Sequence, residues 1–382
     1  MKRKRTIACM TGTRADYPRV KSVLQEICRR KNLELKLIVT GMHLVKEFGY
    51  TIKEIEKDGF RIHEKVPMYQ NDDTPYGMAK AAARCSDGIA DAVKRLRPDI
   101  FLLTVDRIET LATAMSVALM NIPIAHIQGG EVTGTIDESI RHAVTKMSHI
   151  HFTATKEAAE RIIKMGEDPK NVHAVGCPYI DIIKSLEFKS KKELSVIYGF
   201  NAAKPLVLFT QHPVTTEYGM GARQMMITIN ALRKFPELEV VALYSNADAG
   251  GRYVIKTMKE MANFHIFPNI TDKDYLSLMK RAEFMIGNSS AGIREAPSFH
   301  LLVINIGSRQ NGRLRAGNVI DVPHSENEIV KAIKKSLYDK KFRKKLAAVQ
   351  NPYGDGKSAK RIVDILENIK LSPELIQKRI TY

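Results

Sequence analysis

The chain has 382 residues, and 44% of them are hydrophobic. Because a single hydrophobic core seldom organises more than about 250–300 residues, we expect two domains. The formal net charge of +18 suits an anionic partner. However, Lys and Arg are spread along the chain, without the aromatic-studded basic motifs of nucleic-acid-binding modules. We therefore expect no nucleic acid as a partner, and a positive field that attracts small anions.

Cysteine usage and apolar segments indicate the compartment. Cys9, Cys28, Cys85 and Cys177 form no CxxC pair and have no nearby His cluster, so we expect neither a structural zinc nor disulfides. We predict that they are core thiols in a reducing compartment. The apolar run behind the basic N-terminus stops at Met10, and no later segment approaches the roughly 20 apolar residues of a membrane-spanning helix. These features predict a cytoplasmic protein without a membrane partner.

Short β-rich runs alternate with amphipathic stretches through the first half of the chain. Strands are predicted at residues 6–10, 34–39, 100–104, 122–127 and 150–153. A helix is expected to begin near Pro18, and further helices fit between the later strands. Such alternation is typical of βαβ units around a parallel sheet that is covered on both faces.

A second alternating series follows the polar, Lys-rich stretch 187–193. Strands are predicted at 206–210, 239–244, 284–286 and 301–306, followed by helical segments from about Ser325 and from 358 to 370. We predict an α/β fold of two doubly wound Rossmann-like domains with an interdomain cleft. The N-terminal domain covers 1–185 and the C-terminal, nucleotide-binding domain covers 186–357. The helix at about 358–382 can pack back on the first domain.

Polar residues follow the predicted strands, at the sheet edge where ligands of such folds bind. The turn after the first strand contains Arg14, which can contact a phosphate together with backbone N–H groups. A tight βα turn is the simpler interpretation of this segment. Asp106 and Arg107 follow the third strand, where a salt-bridged loop is the simpler interpretation.

Three further acidic residues follow the fourth strand. Two glycines precede Glu131, so the backbone can approach a ligand and leave this carboxylate at the mouth of the cleft. Asp137 and Glu138 come next, although Asp137 can also be the N-cap of a helix. With Asp106, these side chains can supply the pair of acid/base groups that removes and replaces a carbon-bound proton.

Two polar residues follow strands of the second half. His212 lies just after the strand at 206–210, and an imidazole there can donate to a leaving diphosphate near neutral pH. A single His is more often structural than catalytic, but its place over the cleft favours catalysis. Asn246 follows the strand at 239–244 and can cap a helix or contact a base or ribose.

The run from 286 to 295 carries the strongest local signal, a strand, a turn of small residues and the start of a helix. The hydroxyls of Ser289 and Ser290 and the free N–H groups predict an anion-binding nest, and Glu295 can reach both hydroxyls of a ribose. Helix capping by Asn288 or Ser290 explains part of the pattern. Arg309 or Arg313 can then neutralise a diphosphate.

Four motifs are distributed over nearly the whole chain. They are TGTRADY at 11–17, GGEVTGTIDESIRH at 129–142, QHPVTTE at 211–217 and GNSSAGIREAP at 287–297. Together they resemble the UDP-N-acetylglucosamine 2-epimerase family, and within it the hydrolysing branch that feeds sialic acid and related nonulosonic acid synthesis. The resemblance implies a glycosyltransferase-B-like fold and a reaction without metal or cofactor. UDP leaves UDP-N-acetylglucosamine by anti elimination, and water then adds to the 2-acetamidoglucal to give N-acetylmannosamine.

The resemblance also implies roles for individual residues. The positions that the family uses around the nucleotide match Arg14, Arg107, His212, Asn246, Ser289, Ser290, Glu295 and Arg309. Its acidic catalytic positions match Asp106, Glu131 and either Asp137 or Glu138, and His212 is a further catalytic candidate. Each of these carboxylates is a candidate for the base that removes the C2 proton. A homodimer or homotetramer is expected, also by resemblance.

Other activities are compatible with the same fold. GDP-N-acetylglucosamine is an alternative substrate, serving legionaminic acid synthesis, because Glu295 would bind the ribose of either nucleotide. A non-hydrolysing epimerase, which returns UDP-N-acetylmannosamine, is less favoured, since the stretches 106–109 and 129–142 resemble the hydrolysing branch. A glycosyltransferase would share the fold but would not need three clustered carboxylates.

Overall fold

The computed structural model describes residues 3–72, 74–133, 136–246, 248–261 and 264–382. The chain forms two parallel β-sheets with helices on their faces, which confirms the predicted α/β, doubly wound class. Within the described residues, no helix is both long and apolar enough to cross a membrane.

The first sheet has seven strands in the order β3-β2-β1-β4-β5-β6-β7. Its strands are β1 (Arg5–Thr11), β2 (Leu33–Thr40), β3 (Ile62–Val66), β4 (Ile100–Thr104), β5 (Ile124–Ile127), β6 (Ile150–Thr153) and β7 (Val172–Ala174). Its helices are α1 (Tyr17–Arg29), α2 (Ile52–Lys57), α3 (Pro75–Leu96), α4 (Ile108–Leu119), α5 (Asp137–Met147), α6 (Lys156–Lys164) and α7 (Pro178–Ser185). The strand order reverses beside β1, so the connections that follow β1 and β4 lead to opposite faces of the sheet and leave a crevice for a ligand at the carboxyl ends of these strands.

The second sheet has six strands in the order β10-β9-β8-β11-β12-β13. Its strands are β8 (Leu206–Thr210), β9 (Glu239–Leu243), β10 (His265–Phe267), β11 (Phe284–Gly287), β12 (Leu302–Ile306) and β13 (Val319–Val322). The helices of this half are α8 (Lys191–Tyr198), α9 (Gly221–Arg233), α10 (Gly251–Met261), α11 (Asp272–Arg281), α12 (Ala291–Arg294), α13 (Glu326–Tyr338) and α14 (Lys340–Leu346). Its switch point lies between β8 and β11, opposite the switch point of the first sheet.

Two short helices follow, α15 (Ser358–Asn368) and α16 (Pro373–Ile376). Helix α15 packs against α1 and α7, and its Ile362 and Leu366 share one buried core with Val20 and Ile27 of α1. At about 1.5–3 kcal/mol for each fully buried aliphatic side chain, this apolar face holds α15 firmly against the first half of the chain.

All four cysteines are free. Cys9, Cys85 and Cys177 are buried, as predicted for core thiols, but Cys28 is exposed. The prediction was wrong for Cys28 because it lies near the end of α1, on the side of the helix that faces away from the core.

Candidate active site

A deep cleft lies between the carboxyl ends of the two sheets. Eleven of the predicted site residues line it, namely Arg14, Asp106, Arg107, Asp137, His212, Asn246, Ser289, Ser290, Glu295, Arg309 and Arg313. They come from both halves of the chain, from residue 14 to residue 313, and the two switch points bring them together. Glu131 and Glu138 lie behind this lining, each held by an arginine. The motif at 129–142 includes residues 134 and 135, which lie outside the described residues.

Asp106 is clamped by guanidinium groups at the end of β4. It accepts a hydrogen bond from Arg141, whose side chain is fully buried, and Arg313 lies 3.8 Å from the same oxygen. Burial alone would raise the pKa of Asp106, but the charges of Arg141 and Arg313 hold it well below its usual range. Asp106 is therefore ionised and a weak base in this arrangement.

Glu131 forms a buried ion pair with Arg294, which lies at the end of α12 in the second half. Burial raises the pKa of Glu131, while Arg294 and Arg313 lower it, and the net pKa is below the usual value. Its Oε1 atom is buried and accepts no hydrogen bond within the part of the chain that the structure describes. This oxygen can accept a proton or a hydrogen bond from a ligand or water.

Asp137 is the first residue of α5, and the N-cap is Ile136, so the alternative interpretation of Asp137 as an N-cap is wrong. Its Oδ2 lies 3.7 Å from Arg309. Burial, together with the nearby charge of Asp106, raises the pKa of Asp137 despite the opposing effect of Arg107. Of the carboxylates clustered here, Asp137 therefore differs from Asp106 and Glu131 in its higher affinity for a proton.

Glu138 braces the arginine that holds Asp106. It accepts hydrogen bonds from Arg141 at 2.7 Å and from the backbone N–H of Thr133 at 2.6 Å. His142, one turn further along α5, lies 2.9 Å from the other oxygen of Glu138. Glu138 thus acts on the cleft through Arg141.

His212 presents a defined nitrogen to the cleft. Its Nδ1 accepts a hydrogen bond from the backbone N–H of Asn246 at 3.1 Å. Burial and the charges of Arg309, Arg14 and Arg107 hold the pKa of His212 well below its usual range, so the imidazole is neutral. A neutral imidazole that accepts at Nδ1 carries its proton on Nε2, where it can donate to a ligand.

Asn288 fixes the backbone of His212. Its Oδ1 accepts from the His212 N–H at 2.7 Å, and its Nδ2 donates to the His212 carbonyl at 2.9 Å. Both polar atoms of the side chain therefore bind the His212 backbone, and the suggestion that Asn288 caps α12 is wrong. The N-cap of α12 is Ser290, but its side chain makes no capping hydrogen bond.

Two arginines reach across the cleft from the first half. Arg14 donates to the backbone carbonyls of Tyr244 and Pro268, and Arg107 donates to Asp248. The sequence predicts that Arg14 contacts a phosphate, whereas for Arg107 it offers a salt-bridged loop or, by resemblance, a place around the nucleotide. Both side chains have partners from the second half, and Arg107 is in a salt bridge with Asp248. The turn containing Arg14 offers fewer N–H groups than predicted, since those of residues 12 and 13 donate to the Asp16 carboxylate at 3.0 and 2.9 Å.

Glu295 lies at the base of the cleft with Arg19 from α1. Arg19 donates to Glu295 at 3.3 Å and to the Ser290 hydroxyl at 3.1 Å. The Glu295 Oε2 atom is buried and accepts no hydrogen bond among the described residues. This oxygen is suited to accept a hydrogen bond from a ligand hydroxyl, because burying a carboxylate oxygen without a partner is costly.

Sequence reasoning did not assign roles to Arg19, Arg141 or Arg294. Arg141 and Arg294 lie inside the motifs at 129–142 and 287–297, and Arg19 lies two residues beyond TGTRADY, so their proximity to motifs was an available signal. The pairing of Asp248 with Arg107 had no such signal, because the two residues belong to different halves of the chain.

Comparison with known proteins gives relatives over nearly the whole chain. A family model described as UDP-N-acetylglucosamine 2-epimerase matches residues 25–367. UDP-N,N'-diacetylbacillosamine 2-epimerase (hydrolyzing) of Legionella pneumophila is 35% identical over 99% of this chain and 100% of its own length. GDP/UDP-N,N'-diacetylbacillosamine 2-epimerase (hydrolyzing) of Campylobacter jejuni is 38% identical over 89% of each protein. UDP-N-acetylglucosamine 2-epimerase of Neisseria meningitidis serogroup B is 34% identical over 88% of each.

Solved structures share the fold. The UDP-GlcNAc 2-epimerase from Neisseria meningitidis bound to UDP-GlcNAc superposes with a TM-score of 0.80 and 18% identity, covering 94% of this chain and 99% of that chain. The predicted two-domain, glycosyltransferase-B-like architecture is confirmed by this match.

Proposed function

Since the chain belongs to the UDP-N-acetylglucosamine 2-epimerase family, we propose that it is a hydrolysing 2-epimerase. It converts a UDP-linked 2-acetamido sugar and water into UDP and the free 2-epimer. The observation that carries this proposal is the contact between Asp137 and Arg309, 3.7 Å apart, which joins a carboxyl of raised pKa to a cation in one cleft. Elimination of a diphosphate needs both a base and a group that stabilises the departing charge.

In the proposed elimination, Asp137 takes the C2 proton. The electron pair of the C2–H bond forms the C1–C2 double bond while the C1–O bond breaks, and UDP leaves with the pair from that bond. The Nε2–H of His212 and the guanidinium of Arg309 face the departing diphosphate. Water then adds its hydroxyl at C1, and a proton returns to C2 on the opposite face.

The remaining acidic groups prepare the site for these steps. Asp106, ionised and clamped by Arg141, keeps a negative charge near Asp137 and so favours its protonated form. The Glu131 Oε1 atom, which accepts no hydrogen bond from the described residues, is suited to orient the attacking water. Glu295 and the two serines at 289 and 290 are proposed to hold the ribose and the phosphates.

The sugar is the open part of this proposal. N-acetylglucosamine remains the first candidate, and N,N'-diacetylbacillosamine is the second, because the relatives at 35% and 38% identity carry names of diacetylbacillosamine epimerases. Both sugars carry the C2 acetamido group at which the proposed chemistry takes place. The Campylobacter relative is named for both GDP and UDP, so GDP sugars stay an alternative.

The decisive experiment is incubation of purified protein in deuterated water, without added metal, with the UDP and GDP forms of each sugar. NMR then identifies the products. Free 2-epimer with deuterium at C2, together with released nucleotide, would support the hydrolysing reaction and select the substrate. If the 2-epimer is still bound to its nucleotide, the enzyme catalyses the non-hydrolysing reaction instead. If no substrate is turned over, the proposal is overturned.

The biological setting is also a proposal. We propose a cytoplasmic homodimer or homotetramer that supplies sialic or related nonulosonic acid synthesis, with domains at residues 1–185 and 186–357 and the helix from about 358 belonging to the first. The packing of α15 against α1 supports this division. Light scattering coupled to gel filtration tests the oligomer, because a monomeric mass would contradict it.

A further inference from the structure

A strained residue precedes Asp106. Val105 has a φ of +59°, in the left-handed region that β-branched residues rarely adopt, and it is only 3% exposed. Such a backbone persists only where surrounding contacts over-determine it. The Val105 N–H donates to the carbonyl of Ile127 at 3.1 Å, and this hydrogen bond holds the peptide group before Val105 in place. The Val105 carbonyl also needs a partner, because buried backbone carbonyls are paired in folded proteins.

His126 supplies that partner. It lies on β5, opposite Leu103 of β4 in the sheet register, and is fully buried. Its Nε2 lies 2.8 Å from the Val105 carbonyl oxygen. Since a carbonyl can only accept, Nε2 must carry the proton and donate. Burial lowers the pKa of His126 to about 4, so the ring is neutral and has this one N–H to give.

The opposite edge of the same ring touches the loop that leads to Glu131. A Cβ atom added at Gly129 would lie 2.9 Å from His126 Nδ1 and 3.1 Å from the Thr145 hydroxyl. The imidazole therefore occupies the space beside Gly129, where only glycine leaves room. Gln128, just before it, is also left-handed, with a φ of +66°. The neutral His126 ring thus lies beside two turns that contain left-handed residues, the turn that leads to Asp106 and the turn that leads to Glu131.

We propose that His126 is a positioning residue that fixes Asp106 and Glu131 relative to each other by binding the Val105 carbonyl and filling the space beside Gly129. The inference rests on the proposed function for its effect on turnover. His126 lies outside the lining of the cleft, so it acts through these two turns and does not touch the substrate.

Three variants separate the hydrogen bond from the volume of the ring. His126→Phe keeps a flat ring and removes the donor. His126→Gln places an amide N–H where Nε2 lies. The double variant Val105→Gly with His126→Phe also lacks the donor, but it relieves the backbone strain at position 105, because glycine adopts positive φ freely. His151→Phe is the matched control, since His151 is equally buried on the neighbouring strand and pairs with Glu167, away from the cleft.

We expect His126→Phe to lower kcat about 30-fold with KM and the Kd for UDP changed less than threefold, a split expected when positioned catalytic groups are displaced. His126→Gln and the double variant should recover at least a third of the wild-type kcat, and His151→Phe should keep it within threefold. Wild-type kcat in His126→Phe, or equal loss in His126→Phe and His126→Gln, would overturn the hydrogen-bond role.

Hydrogen exchange provides a readout that is independent of turnover. Amides of 103–107 and 128–132 should exchange at least fivefold faster in His126→Phe than in wild type or His151→Phe, and His126→Gln should restore protection of 103–107. Unchanged exchange in both segments would overturn the inference even if the wild-type protein turned over no sugar nucleotide. An inactive wild type with the expected exchange pattern would instead reject the proposed function alone.

Discussion

Arg107 donates two hydrogen bonds to the carboxylate of Asp248, at 3.0 and 2.5 Å, and so ties the loop after β4 to the loop after β9. Both side chains are buried. The charge of Asp248 thus neutralises a guanidinium that the family resemblance places around the nucleotide. A bound diphosphate would therefore have to share Arg107 with Asp248 or replace it.

Asp248→Asn should lower the free energy of unfolding by about 3 kcal/mol, because it removes the carboxylate that is hydrogen-bonded to the buried Arg107 and leaves only Glu109, 3.8 Å away, as an ion-pair partner. UDP should restore more stability in this variant than in the wild-type protein, since the diphosphate supplies the missing charge. Calorimetry with and without UDP measures both effects. The control is Glu47→Gln, which removes the charge of an exposed residue that pairs with Arg252. This variant should lower the free energy of unfolding by about 1 kcal/mol or less. Equal losses in the two variants would contradict the importance of burial.

Asp137→Asn should lower kcat about 1,000-fold while the Kd for UDP stays within threefold, because an amide cannot take the C2 proton. Glu131→Gln should lower kcat by a smaller factor, about 100-fold, since its amide oxygen can still accept from Arg294. Steady-state kinetics and UDP titration measure both pairs of constants. Full activity in Glu131→Gln would remove this residue from the catalytic set, and a larger loss there than in Asp137→Asn would reverse the assignment of the base.

The acid limb of the pH profile should report Asp137. Its pKa is raised above 3.8, and a base must be ionised, so kcat/KM should fall as pH drops through this raised pKa. Arg309→Gln removes a positive charge 3.7 Å away, which favours the protonated carboxyl and moves the acid limb to higher pH. The Kd for UDP should also rise in this variant. An acid limb at the same pH in both proteins would argue against Asp137 as the group that titrates.

Asn288→Asp should separate the two hydrogen bonds that hold His212. Aspartate still accepts from the His212 N–H, but it cannot donate to the His212 carbonyl. We expect Asn288→Ala to lower kcat about 30-fold and Asn288→Asp to lower it less, because a displaced hydrogen-bond donor loses its alignment with the leaving group. The values of kcat at saturating substrate show which of the two variants loses more activity. A neutral Asn288→Ala variant would show that the backbone of His212 is held by other contacts.

The extent to which each strand is buried explains which strands could be predicted from the sequence. The central strands β1, β4, β8 and β11 are buried almost throughout, and their continuous apolar runs predicted them to within about a residue at each end. The strands β3, β7, β10 and β13 were not predicted. They lie at the four edges of the two sheets, where they are largely half-buried, so polar residues interrupt their apolar pattern.

The site was predicted in part for a similar reason. Site residues that directly follow strands could be predicted from the sequence, because parallel strands bring their carboxyl ends to one edge of the sheet. The ion pairs between these residues could not be predicted, since Glu131 and Arg294 are separated by 163 positions and Arg107 and Asp248 by 141. Only the facing of the two sheets brings Arg294 to Glu131 and places Arg313 3.8 Å from Asp106.

The packing of α15 against α1 and α7 has a consequence for the order of folding. Ile362 and Leu366 complete a core whose other members include Ile7 and Val20. The ribosome adds these two late residues only after the whole second sheet has been made. The half of the molecule that is synthesised first is therefore the half whose interior is closed last, and until then an apolar face on α1 stays open to water.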